Sequence, residues 1–122
     1  MTDGPAPHVL LVEDNELVTG ALQILLETAG ARVSIAHSIT EALGHVHSDP
    51  PVLVLLDLTL PDGEGLAVIE PLRAAGTKTF VALTGHDDAA TRQRCLDAGC
   101  VDVIIKPPRA RELVAKAIGW LS

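Results

Sequence analysis

The sequence predicts an α/β fold, a doubly wound parallel sheet of five strands with helices on both faces. Two observations carry that expectation. Five short apolar runs alternate with five longer stretches in which apolar residues recur at three- and four-residue steps. Most of the runs are unbroken by polar residues, which implies strands buried on both faces, as in a parallel sheet covered by helices. Successive β-α units joined by right-handed crossovers then wrap the helices onto both sides of the sheet.

The first run is Val9-Leu10-Leu11-Val12, and it ends at the acidic pair Glu13-Asp14. A helix follows from Glu16 to Ala29, with Val18, Leu22, Leu25 and Ala29 on one face and Gly30 as its stop. Arg32 to Ala36 is the second, more alternating run. Ser38-Ile39-Thr40-Glu41 reads as a capping box that opens a helix through about Val46, closed before Pro50-Pro51. Val52 to Leu56 is the third run and is wholly apolar. The next helix, Gly65 to Ala75, is interrupted by Pro71, which cannot donate a backbone hydrogen bond. Thr79 to Leu83 is the fourth run, Asp88 to Ala98 the fourth helix, and Gly99 its stop. Val101 to Ile105 is the fifth run, and Arg109 to Leu121 the last helix. Residues 1–7 read as a flexible tail and 8–122 as one domain, within the usual size for one.

Composition narrows the function. At 48% hydrophobic and 20% charged, the chain is not intrinsically disordered. One Phe, one Trp and no Tyr leave the core to Val, Leu, Ile and Ala. No apolar run approaches the ~20 residues of a membrane helix. The start, MTDGPAPH, lacks the basic and apolar regions of a secretion signal, so a cytoplasmic location is expected. A net charge of −7 argues against a nucleic-acid surface, which needs clustered Lys and Arg. The charge is lopsided: residues 1–64 hold ten acids and the single base Arg32, whereas 65–122 hold six acids and eight bases. A negative pole of this kind suits a cation, or is simply a solvated surface. Cys95 and Cys100 form no metal-ligand spacing and read as buried reduced thiols.

In doubly wound sheets the working crevice lies beyond the carboxyl ends of the strands. The first run ends in Glu13-Asp14-Asn15, the third in Asp57, the fourth in Thr84-Gly85, the fifth in Lys106-Pro107. Three carboxylates, a hydroxyl and an amine should therefore meet. Taken singly, Glu13-Asp14 could be an acidic helix start, Thr84 a turn residue and Lys106 a surface lysine. Together they make a site. Clustered carboxylates repel one another, and a divalent cation is the natural compensation; oxygen ligands favour Mg²⁺, which keeps waters and recruits phosphate oxygens. Asp57, at the mouth of a rigid apolar strand, is placed as a nucleophile toward phosphorus. Lys106 and Thr84 would then hold phosphoryl oxygens, since positioning and charge neutralisation supply most of the catalysis of phosphoryl transfer.

The blocks VLLVEDN, LVLLDLTLPDGEG, VALTG and IIKPP, in that order and spacing, resemble the response-regulator receiver domains of two-component signalling, from about His8 to Leu121. The resemblance implies a flavodoxin-like sheet of order 2-1-3-4-5. It implies Glu13 and Asp14 as metal-site acids, Asp57 as phosphoacceptor, and the backbone carbonyl of Thr59 as a further Mg²⁺ ligand. It also implies Thr84 as the switch hydroxyl, Lys106 as the phosphate-facing lysine, and a cis bond at Lys106-Pro107. Gly65 matches the family's glycine after the acceptor. The implied partners are a histidine kinase or histidine phosphotransfer protein and an output protein. The implied output surface runs roughly from Asp88 to Leu121. The protein would be no enzyme beyond assisting its own phosphorylation and dephosphorylation. No output domain is visible in these residues, so output is expected through protein contact or a phosphorelay.

The chain departs from the family at Val103, where a Tyr or Phe usually stands three residues before the lysine. Valine offers no swinging ring and only a stiff single torsion. Thr84-Gly85-His86 and the stretch from Arg92 to Gly99 are similar to receivers of hybrid sensor kinases, which raises the phosphorelay option. By the family arrangement Thr59 and His86 gate the water that hydrolyses the aspartyl phosphate, and His86 is expected to tune its lifetime, by acting on that water or blocking it. His45 and His47 are too badly phased on a helix to bind one metal. His8 and His37 show no partner in the sequence. Trp120 is expected to pack at the end of the core. The competing expectation is a small hydrolase of the haloacid-dehalogenase type. Asp57-Leu58-Thr59 is similar to its nucleophile motif, but that nucleophile follows a first strand and 122 residues leave no room for a cap.

Overall fold

A computed structural model of the chain describes residues 6–45 and 49–122. Its strands are β1 (His8–Val12), β2 (Arg32–Ala36), β3 (Leu53–Asp57), β4 (Thr59–Leu60), β5 (Gly63–Glu64), β6 (Thr79–Thr84) and β7 (Asp102–Ile105). Its helices are α1 (Glu16–Thr28), α2 (Ile39–Leu43), α3 (Ile69–Ala74), α4 (Ala89–Ala98) and α5 (Ala110–Leu121), with a 3₁₀ turn at Gly65–Val68. Five parallel strands form one sheet in the order β2-β1-β3-β6-β7. Counting those five alone, this is the expected 2-1-3-4-5. The extra pair β4-β5 is a two-residue antiparallel hairpin just past Asp57.

Strand alternation sends successive side chains to opposite faces, and each face has its own core. Leu53 and Leu55 join Val9, Leu11, Val81 and Ile104 under α1 and α5, where Leu22, Leu26, Leu113 and Ala117 close the layer. Trp120 packs there, half-buried, as expected. Val54 and Leu56 join Leu10, Val12, Phe80 and Val103 on the other face, covered by Ala42, Ile69, Leu72 and Cys95. Cys95 and Cys100 are buried free thiols, and burial pushes Cys100 up to about 12.

Several expected boundaries shift. Val52 and Val101 lie outside the strands and are 47% and 54% exposed, because an apolar run does not show where pairing begins. Pro71 does not interrupt a helix. A 3₁₀ turn precedes α3, and Pro71 is its third residue, where the missing N–H has no intrahelical partner to lose. α2 is short; Ser38 caps it through Glu41 N, and the Asp62 carboxylate from the β4-β5 turn accepts from Ile39 N and Thr40 N. The expected end of α2 near Val46, and the His45–His47 pair, run into 46–48, outside the described residues. Residues 1–5 of the expected tail also lie outside the described residues. Pro7, by contrast, is already bonded, accepting from Arg32 N at 2.9 Å.

His8 has partners the sequence does not reveal. It is 4% exposed, its Nδ1 donates to the Asp49 carbonyl at 2.8 Å, and its Nε2 accepts from the Ser34 hydroxyl at 2.7 Å. Burial lowers its affinity for a proton, outweighing the Asp49 hydrogen bond and charge; Arg32 and His45 also oppose protonation. The unfolded chain takes up this proton as pH falls through about 6.5, and the folded chain resists until lower pH. Stability should therefore fall between about pH 6.5 and the depressed folded value. The Asp62 and Asp88 carboxylates, held low by backbone hydrogen bonds, give way only below about pH 4. Urea midpoints from pH 7 to 5 should decline in the wild type and flatten in His8→Gln; equal slopes would contradict this account.

Candidate functional site

The site forms where parallel register brings strand ends level. Val12 pairs with Leu56, Asp57 with Leu83, and Thr84 with Ile105. The residues at or just after those positions open on one edge. Asp57 and Thr84 are themselves the last residues of their strands.

Glu13 leaves β1 with its backbone N–H bonded to Ala36 O at 3.0 Å and its carboxylate 99% buried. Asn15 N donates to Glu13 Oε2 at 3.1 Å, and the Asn15 side chain caps α1 through Leu17 N and Val18 N. Asp14, between them, is exposed. Asp57 is 8% exposed, and Thr59 N donates to its Oδ1 at 3.3 Å. Oxygens of Glu13, Asp14 and Asp57 all lie within 4.8 Å of one another. Lys106 Nζ reaches this group from the end of β7, 2.8 Å from Glu13 Oε1 and 3.3 Å from Asp57 Oδ2. Its backbone N–H donates to Thr84 O at 2.8 Å, and the Lys106–Pro107 bond is cis. Burial disfavours the Lys106 ammonium, but the Glu13 hydrogen bond and the Asp57 and Glu13 charges outweigh it and hold the amine above its ordinary range.

Two cavities meet at Asp57 and Lys106. One, of about 580 Å³, runs past Glu13 and Asp14 to Leu17, Ala21 and Pro108. The other, of about 320 Å³, is walled by Thr59, Thr84, His86, Thr91 and Arg94. Thr84 Oγ1 accepts from His86 N at 3.0 Å, which orients the hydroxyl in the buried wall while His86 itself is exposed. His37, whose partner the sequence did not show, sits with Nδ1 3.2 Å from Glu13 O. Val103 is buried on β7, 4% exposed. Gly65 is pressed against the acceptor: its N–H donates to Leu58 O at 2.8 Å, and a Cβ there would fall 1.7 Å from Asp57 O. Glu13, Asp14, Asp57, Thr84 and Lys106 are thus brought together. Arg94 and Glu64, joined by a 2.9 Å ion pair beside the second cavity, were missed. No spacing signal marks a cross-element pair on exposed side chains.

Five parallel strands in this order, with acids and a lysine at their carboxyl edge, define a receiver-type α/β domain. The chain belongs to the response regulator receiver domain family, whose profile matches residues 9–118. It is 34% identical over 116 residues to the acid tolerance regulatory protein ActR of Rhizobium meliloti, covering 94% of this chain and 60% of that protein. It is 34% identical to the KDP operon transcriptional regulatory protein KdpE of Escherichia coli, covering 89% of this chain and 48% of that one. The chain thus spans about half of the curated relatives it matches. A solved receiver domain of sensor histidine kinase PA1611 from Pseudomonas aeruginosa, with magnesium coordinated in its active-site cleft, superposes with a TM-score of 0.82. Identity there is 27%, over 96% of this chain and 98% of that one. Among the described residues no helix is long and apolar enough to cross a membrane.

Proposed function

We propose that this domain accepts a phosphoryl group from a partner phosphohistidine onto Asp57, in the presence of Mg²⁺, and signals the change by protein contact or by passing the group on. The observation that supports this most directly is the packing of two carboxylates, Glu13 and Asp14, and the Lys106 ammonium around Asp57, a third carboxylate at a strand mouth. The donor set is all oxygen, mutually close and acid-rich, and fits a hard divalent cation. Glu13, Asp14, Asp57 and the Thr59 carbonyl would hold it. When bound, such a cation neutralises charge on the phosphoryl oxygens.

This chain's residues do the rest. One Asp57 oxygen attacks phosphorus, and the phosphorus–nitrogen bond of the donor breaks. The electron pair goes to the leaving imidazole nitrogen, and the product is an acyl phosphate on Asp57. Lys106 lies 3.3 Å from Asp57 and offsets charge on the phosphoryl group. The Thr84 hydroxyl, on the wall of the cavity, is the group that would turn toward that charge. His86, at the rim, would set how quickly water removes the group. The donor has an open approach along Leu17, 86% exposed, beside Ala21 and Pro108. The Asp88-to-Leu121 face would carry the output.

Treatment with acetyl phosphate and Mg²⁺, followed by intact mass, tests the reading. One phosphoryl per chain is expected, absent from Asp57→Asn. An unchanged mass, or a gain that survives the substitution, would falsify it. Many phosphates released per chain from a small ester would favour the hydrolase instead.

A further inference from the structure

We propose that Arg94 is a phosphoryl-positioning residue, parked on Glu64 in the resting chain and transferred to the phosphoryl group once Asp57 is loaded. The proposal rests on the phosphoacceptor reading of Asp57.

Charge counting leads to it. Before loading, three carboxylates face one ammonium, and Lys106 is already engaged by Glu13 and Asp57. Loading replaces the Asp57 carboxylate with a phosphoryl group of about −1.5 to −2. A divalent cation offsets two charges, and a negative excess remains. Among the described residues lining the two cavities at Asp57, Arg94 is the one Lys or Arg besides Lys106. Its present partner holds it weakly. Arg94 Nη2 is 2.9 Å from Glu64 Oε1, but the two side chains are 58% and 51% exposed, where an ion pair contributes little. A phosphoryl group offers more charge and a bidentate match to the planar guanidinium.

The exchange would move a helix. Arg94 stands on α4, where Cys95 is the one buried residue of ten, so few apolar contacts anchor it. Beneath it the sheet presents Val103, with no ring to swing. Arg94 thus supplies an electrostatic link between Asp57 and α4 where an aromatic lever is lacking.

The test measures binding of beryllium trifluoride with Mg²⁺, a phosphoryl stand-in at Asp57, by calorimetry and by amide NMR of residues 89–98. Arg94→Gln should weaken binding roughly three- to ten-fold and shrink the α4 shifts. Arg94→Lys should recover part of the affinity. Glu64→Gln should tighten binding, because it frees Arg94. If Arg94 were only half of a surface ion pair, Arg94→Gln and Glu64→Gln would act alike. Shifts in the same direction, or no change in either, overturn the proposal. A wild-type chain that gains no mass from acetyl phosphate overturns the phosphoacceptor reading itself, a separate outcome.

Discussion

Gly65→Ala should cost about 3 kcal/mol or more and abolish phosphoryl acceptance at Asp57. The reason is space. An added Cβ would lie 1.7 Å from Asp57 O and 2.9 Å from Asp57 C, both backbone atoms of a strand locked on either side. A flexible side chain could yield; a central strand of a parallel sheet cannot. Relief requires the loop to lift, which breaks the 2.8 Å bond from Gly65 N to Leu58 O and drags the acceptor from Lys106. Urea denaturation and the acetyl phosphate mass assay read the two losses. Gly20→Ala makes a control, since a Cβ in that exposed part of α1 meets nothing within 4 Å. A Gly65→Ala protein with wild-type stability and full loading would show that the close approach does not constrain the acceptor.

How much of this was legible depended on whether a feature repeats along the chain. The sheet was legible because burial on both faces leaves runs such as Leu53 to Leu56 free of polar residues. The site was legible because topology places strand ends together, so Glu13 and Lys106, 93 residues apart, could be paired without any local motif. The β4-β5 hairpin was not, since two-residue strands carry no period. Nor were the partners of His8, because Ser34 and Asp49 reach it through tertiary contacts. Pro71 misled because its penalty depends on its place in the helix, and that place was set by the 3₁₀ turn before it. Gly65 was noticed only through resemblance. Its φ is not in the left-handed region, so the requirement comes from the neighbouring backbone, which the sequence around it does not display.

Lys106→Ala should destabilise the fold by about 2 kcal/mol and remove most of the loading at Asp57. Glu13 is 99% buried, and Lys106 is its charge partner at 2.8 Å. Removing one member of a buried pair costs more than the pair contributes, because the remaining charge stays out of water. Two features moderate the cost: the Lys106 side chain is 23% exposed, and Glu13 keeps its bond from Asn15 N. The same deletion leaves three carboxylates with no cation among them, so their affinity for a divalent ion should rise. Added Mg²⁺ should then stabilise Lys106→Ala more than it stabilises the wild type, by mass action on the folded state. Stability and loading should separate in this variant, Mg²⁺ restoring the first but not the second. That separation distinguishes an ammonium needed for phosphoryl transfer from one needed only to neutralise Glu13. If Mg²⁺ restored both, Lys106 would be a structural counter-charge, and the phosphate-facing role assigned to it would fall.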